Sequence, residues 1–97
     1  MLLSREEIRQ QRLFYYETRE VLDVYKYQKT SIATNFINWT NNLLIANHYS
    51  DQDITIMDLN YAWETISLMH HYEKHIAQME ANLRAVELSL SLYDENW

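Results

Sequence analysis

The chain has 97 residues, a net charge of −6 at pH 7, and no glycine, proline or cysteine. Without cysteine it can form neither disulfide bonds nor thiolate metal sites, and without glycine the phosphate-binding loops and tight hairpin turns are disfavoured. A chain of this length forms one domain and buries only about 60 to 65% of its unfolded surface. We therefore expect a single all-α domain over residues 1–97, stabilised by partners.

The first helix is predicted to begin at Ser4, because Ser4-Arg5-Glu6-Glu7 matches a capping box. After this capping box, apolar residues recur at alternating spacings of three and four residues, which is typical of a heptad helix. We predict a first helix over about residues 4–46. Its heptad seam consists of Ile8, Gln11, Tyr15, Thr18, Leu22, Tyr25, Lys29, Ile32, Phe36, Trp39, Leu43 and Ala46.

The segment Lys29-Thr30-Ser31 is the weak point of this helix, because a lysine occupies the seam and Thr30 or Ser31 could cap a new helix. The heptad register is unchanged across the segment, which favours one continuous helix. Two helices joined by a turn, or one bent or frayed helix, remain alternatives.

The turn is predicted at about residues 47–53, where turn-forming and cap-forming residues are densest. Ser50, Asp51 and Asp53 are candidate caps for a second helix over about residues 54–94. The strongest part of its seam is formed by Met69, Tyr72, Ile76, Met79, Leu83, Val86, Leu90 and Tyr93.

Charged residues beside the two seams recur every seven positions and suggest how the helices pair. The first helix carries bases at this spacing and the second carries acids, in an order that suits antiparallel packing. The predicted pairs are Arg5 with Asp94, Arg12 with Glu87, Arg19 with Glu80, and Lys26 with Glu73. The chain is therefore predicted to form a long antiparallel, coiled-coil-like helical hairpin.

Many apolar side chains fall outside both seams, and two helices alone cannot cover them. One interpretation is a homodimer of hairpins that forms a four-helix bundle. The other is a docking surface for a different protein. The predicted interface residues are Phe14, Tyr16, Val21, Tyr27, Ile37, Trp63 and Leu88.

A histidine-rich segment around residues 70–75 contains the only cluster of metal-ligand types in the sequence. His71 and His75 are one helical turn apart, a spacing used by zinc sites on helices. No HExxH motif is present, and solvated or interfacial histidines are the alternative interpretation. We expect no cofactor.

Three functional hypotheses follow. The first is a non-enzymatic structural or adaptor protein that self-associates and mediates protein–protein interaction; the second is a small acidic inhibitor or decoy, of phage or viral origin, that binds a basic site. The third is a His-based metal-binding bundle. Residues 47–97 carry nine acidic and two basic side chains, so nucleic acid is not expected as a partner. Neither a signal peptide nor a membrane span is predicted, which favours a cytoplasmic protein that binds no membrane.

Overall fold

The computed structural model describes residues 3–50 and 54–93, which contain two α-helices. Helix α1 spans Arg5–Ser50 and helix α2 spans Ile56–Tyr93. They pack against each other as an antiparallel hairpin, which confirms the predicted all-α fold. Assembly into a dimeric four-helix bundle remains a prediction. Neither helix, over its described residues, has an apolar stretch long enough to cross a lipid bilayer.

The hairpin divides into two compact units. The first, which we call the terminal unit, combines α1 up to Tyr25 with α2 from Lys74 onward. The second, the turn unit, is Lys26–Glu73. Each unit is therefore a two-helix segment with its own contacts, and the two are described separately below.

The capping box predicted at the start of α1 is present. The Glu7 backbone N–H donates to Ser4 Oγ at 3.1 Å, and the Ser4 backbone N–H donates to Glu7 Oε1 at 3.5 Å. Together these contacts satisfy two backbone groups that have no partner inside the helix. The prediction that the helix begins beside Ser4 is therefore confirmed.

Helix α1 continues without a break through residues 29–31, as the unchanged register indicated. The Thr30 hydroxyl donates to the Lys26 backbone carbonyl at 3.0 Å, one turn earlier in the same helix. Since this hydroxyl is used within α1, it does not cap a second helix. Lys29 occupies its seam position half-buried.

Helix α1 extends to Ser50 and helix α2 begins at Ile56, so both bounds lie somewhat later in the chain than the predicted 46 and 54. Residues 47–50 contain neither glycine nor proline, so nothing there stops the helix. Ser50 is part of α1 and not a cap of α2, which makes that candidate wrong. The candidates Asp51 and Asp53 lie outside the described residues.

The cap of α2 is Thr55, which the sequence analysis did not select. The Asp58 backbone N–H donates to Thr55 Oγ1 at 3.1 Å, and the Thr55 backbone N–H donates to Asp58 Oδ2 at 2.9 Å. This is a capping box with aspartate at its third helical position. It satisfies two backbone donors at once, and the Asp58 carboxylate also interacts favourably with the helix dipole.

The predicted seams form the contact between the helices. All twelve seam residues of α1 and all eight of the strong seam of α2 are buried or half-buried. The centre of the terminal unit is a cluster of Tyr15, Leu22 and Leu83, against which Ile76, Met79 and Val86 pack. Leu90 is the most buried side chain described, with 0% exposed. Four apolar side chains in all are buried among the described residues, so the core is small.

We expect Thr55→Ala to lower the free energy of unfolding by about 1 kcal/mol, because it removes the side chain that caps α2. The matched control is Thr34→Ala, which makes the same chemical change at an exposed position inside α1. Alanine favours helix more than threonine does, so the control is expected to be neutral or slightly stabilising. Urea unfolding at one fixed protein concentration measures both, and equal effects would contradict the capping role.

Leu90→Ala is expected to destabilise the hairpin by about 2–5 kcal/mol, since it leaves a cavity at a fully buried position. Leu92→Ala is the control, because Leu92 is 77% exposed and only two residues away. Its expected effect is within about 0.5 kcal/mol. Thermal unfolding followed by circular dichroism compares the two variants, and a similar loss in both would argue against Leu90 as a core residue.

Candidate functional site

All seven predicted interface residues lie on the exposed surface of the described chain. Their exposed fractions range from 46% for Phe14 to 76% for Tyr27, and the two on α2, Trp63 and Leu88, are 71% and 69% exposed. Large apolar side chains with such exposure on neighbouring helices are a feature of interaction surfaces. Their role as an interface stays a prediction, and the two units place them in different surroundings.

In the terminal unit the exposed apolar residues lie among charged ones. Phe14 and Val21 of α1 line a groove of about 350 Å³, and Met79 of α2 lines its other side. Glu17 also lines this groove, and the helix around it carries charged side chains in every turn. A partner that fills the groove would therefore have to desolvate or pair a carboxylate.

In the turn unit the α1 segment from Thr30 to Asn47 carries no lysine, arginine, aspartate or glutamate over 18 residues. The α2 segment opposite, residues 54–72, carries only two acids, Asp58 and Glu64. The Asp58 carboxylate accepts hydrogen bonds from the Thr55 backbone N–H and hydroxyl, both at 2.9 Å, and so serves the helix cap. The α1 side of the turn unit is therefore uncharged between Thr30 and Asn47, whereas its α2 side carries these two carboxylates.

An aromatic cluster lies inside the turn unit. The rings of Phe36 and Trp39 stack with centroids 5.8 Å apart, and Trp39 meets Tyr61 of α2 with centroids 4.5 Å apart. Contacts of this kind between aromatic rings add to the energy of their burial. They fix the positions of large side chains at the end of the hairpin where α2 contributes small residues such as Ala62.

Beside this cluster is an open cavity of about 190 Å³, which we call the turn-unit cavity. Its lining is apolar except for Thr40 and Asp58, and the Thr40 hydroxyl already donates to the Phe36 carbonyl at 2.8 Å. The side chains around it are Phe36, Trp39, Thr40, Leu43, Leu44, Ile54, Asp58, Leu59 and Ala62.

Exposed apolar residues continue from the rim of this cavity along both helices. Leu44 and Leu59 line the cavity while remaining 54% and 61% exposed, which places their two helical rows on one side of the turn unit. Trp63 and Ile66 extend the row of Leu59 at spacings of four and three. We call Ile37, Leu44, Leu59, Trp63 and Ile66 the turn-unit face. The predicted interface residues did not include Leu44, Leu59 and Ile66, although their helical spacing from Ile37 and Trp63 could have indicated them.

A buried tyrosine connects the helices of the terminal unit. The Tyr15 hydroxyl donates to Glu87 Oε1 at 2.8 Å. This hydrogen bond, together with burial and the Glu87 charge, raises the pKa of Tyr15 above its usual range, while Arg19 acts in the opposite direction. A raised pKa makes the phenolate harder to form, so the Tyr15 hydroxyl stays protonated and serves as a hydrogen-bond donor between the two helices.

The acids beside the α2 seam contact polar tips of α1 seam residues. Besides the Tyr15 contact to Glu87, Lys29 Nζ lies 3.3 Å from Glu73 Oε1. In each contact the α1 residue lies three positions after the base that was predicted to pair with that acid. Tyr15 follows Arg12, and Lys29 follows Lys26. Tyrosine and lysine bury the apolar part of the side chain in the seam, while the polar end reaches the edge of the seam. The prediction of ion pairs from the seven-residue spacing of charges did not consider such seam residues. Asp94 lies outside the described residues, so its pairing with Arg5 stays a prediction, as do the pairs of Arg12 with Glu87, Arg19 with Glu80, and Lys26 with Glu73.

The three histidines of residues 70–75, His70, His71 and His75, occupy exposed positions on α2. His70 Nδ1 lies 3.6 Å from Glu73 Oε2, and the His75 ring packs edge-on against Tyr25 with centroids 6.0 Å apart. His71 falls in the turn unit and His75 in the terminal unit. Within the described residues, no three His, Asp or Glu side chains are grouped so that they could hold a metal together. Metal binding by His71 and His75 stays a prediction.

Comparisons with protein families, with curated proteins and with solved structures found no match to this chain.

The Tyr15–Glu87 bond predicts a pH-dependent contribution to stability. Tyr15→Phe should cost about 1–2 kcal/mol near neutral pH, since the half-buried Glu87 carboxylate loses a donor. Because the folded-state pKa of Tyr15 is raised, this contribution is complete below the unfolded-state pKa of about 10. It is lost as the pH rises through the folded-state pKa, because the unfolded chain releases the phenolic proton first.

Urea unfolding of the wild type and Tyr15→Phe between neutral and strongly alkaline pH measures this contribution. The stability difference between the two proteins should shrink as the pH passes about 10. Tyr27→Phe serves as the control, since Tyr27 is 76% exposed, and it should match the wild type near neutral pH. A Tyr15→Phe difference that grows at alkaline pH would rule out the assigned direction of the pKa shift.

Proposed function

We propose that this protein is a non-enzymatic structural or adaptor module that self-associates and makes protein–protein contacts through the apolar surface outside its seam. The observation that carries the proposal is the contrast between core and surface. Among the described residues four apolar side chains are buried, whereas nineteen large apolar side chains are exposed. Burying part of that surface against another helical surface would supply stability that the small core lacks.

The fold suits this role, because an antiparallel hairpin presents two helices side by side, and a second hairpin packed on them would complete a four-helix bundle. Each helix has its own N-terminal cap, Ser4 for α1 and Thr55 for α2, which fixes where each helix begins. The hydrogen bond from Tyr15 to Glu87 joins the two helices, and the raised pKa of Tyr15 keeps its hydroxyl protonated. These features support a module whose two helices hold the exposed apolar surface in position for a partner.

The acidic-decoy hypothesis is supported less by the same contacts. Two of the regularly spaced acids, Glu73 and Glu87, interact with Lys29 and Tyr15 of the same chain. Carboxylates held in this way would have to leave their partners before binding a basic site elsewhere. The proposal therefore rests on the apolar surface and not on the net charge.

Light scattering coupled to size-exclusion chromatography tests self-association. We expect the purified chain to show a particle mass of at least twice 11.8 kDa at micromolar concentration, and a melting temperature that rises with protein concentration. Because the proposed contacts are apolar, the mass should persist between low and moderate salt. A mass of one chain at all concentrations, with a constant melting temperature, would reject the proposal.

A further inference from the structure

We infer that Lys29 selects the partner of the α1 seam. Its ammonium group is accommodated when α2 packs against α1, and it prevents the same seam from packing against α1 of a second copy. Lys29 acts within the seam, whereas the proposed function concerns the apolar surface outside it. The selection therefore goes beyond the proposed function and does not depend on it.

The period of the α1 seam does not by itself distinguish α2 from another α1. The seam keeps its heptad repeat from Ile8 to Ala46, and such a seam can be covered by an identical helix as well as by a different one. A residue in or beside the seam must therefore make α2 the better partner. Lys29 is the only charged residue among the twelve seam positions of α1.

Lys29 has its charge partner on α2. Its side chain is 35% exposed, and its Nζ lies 3.3 Å from Glu73 Oε1. One residue earlier in α1, Gln28 Oε1 accepts a hydrogen bond from the Tyr72 hydroxyl at 2.9 Å. Two neighbouring residues of α2 thus contact polar groups of α1 at this point of the turn unit. A carboxylate beside a half-buried ammonium group offsets part of the cost of removing that group from water.

A second α1 could not supply this partner in a parallel pair. In a parallel pair of identical helices in register, a seam residue faces its own copy, so Lys29 would meet Lys29 of the other chain. Two ammonium groups would then share a partly dehydrated site without a carboxylate. Burying like charges without a counter-charge is unfavourable, so this pairing is disfavoured.

An antiparallel pair of α1 helices is disfavoured by residues beside the seam. Arg12, Arg19 and Lys26 recur every seven residues along one edge of the α1 seam. Where two antiparallel α1 helices overlap over this stretch, basic side chains would meet basic side chains. Helix α2 instead carries Glu73 and Glu80 at this spacing beside its own seam.

The selectivity of Lys29 has a cost in stability. An apolar residue at this position would remove more apolar surface from water, as Leu22 does one heptad earlier with 5% of its surface exposed. A lysine at a single seam position of a coiled coil lowers stability while it specifies how the helices associate. Replacing Lys29 by leucine should therefore keep the hairpin folded and make the α1 seam less selective.

The test is a refolding experiment that reports which helix covers the α1 seam. Ile32→Cys introduces the only thiol of the chain, at the half-buried seam position that follows Lys29. The full-length protein is unfolded in urea and refolded at high protein concentration in a glutathione redox buffer, so each α1 can pair with its own α2 or with another α1. Non-reducing electrophoresis then measures the fraction of disulfide-linked dimer.

We expect Lys29→Leu in this background to raise the fraction of disulfide-linked dimer at least about 5-fold. Two controls should change it less than about 2-fold, because each keeps a positive charge in the seam. Lys29→Arg conserves the charge itself, and Lys26→Leu removes a charge from an exposed position of α1. Circular dichroism and urea unfolding verify that each variant is folded.

A dimer fraction in Lys29→Leu no higher than in Lys26→Leu would overturn the inference, as would extensive cross-linking of Ile32→Cys with Lys29 in place. If Ile32→Cys prevents folding, sedimentation velocity of Lys29→Leu with Ile32 unchanged decides. After the same refolding we expect a species whose sedimentation coefficient is absent from the wild type, and a profile identical to that of the wild type would overturn the inference.

Discussion

The packing of the α1 seam against the α2 seam is the constraint on which the rest of the hairpin depends. Because the seam period is maintained from Ile8 to Ala46, these positions of α1 share one side of the helix and are all buried or half-buried. The packing of the seam also decides which side chains remain exposed to solvent. Two helices can bury one stripe each, so nineteen large apolar side chains among the described residues stay exposed. The exposed apolar surface is thus a direct consequence of the seam.

The seam and the exposed surface could be predicted from the sequence, because both follow from the period of the α-helix. The cap of α2 was missed, since the dense polar run drew attention to Ser50 and its neighbours, whereas Thr55 with Asp58 three residues later forms the cap. The contact between Tyr15 and Glu87 was missed because spacing identifies charges but not the reach of a hydroxyl.

The turn-unit cavity could not be predicted, because it depends on the sizes of side chains that meet across two helices. Large residues of α1, such as Trp39, meet α2 where it contributes small ones, such as Ala62. A heptad pattern states that both positions face the seam, but it does not state how well their volumes fit. The absence of charge from Thr30 to Asn47 was visible in the sequence, and it marks the same region.

The uneven placement of ionisable groups gives the two ends of the hairpin different responses to the solvent. Contacts such as those around Glu87 in the terminal unit weaken as added electrolyte screens them. The α1 segment from Thr30 to Asn47 has no charge to screen, and salting-out anions such as sulfate favour the withdrawal of its exposed apolar side chains from water. Added salt thus acts in opposite directions on the charged contacts and on the exposed apolar side chains of one small molecule.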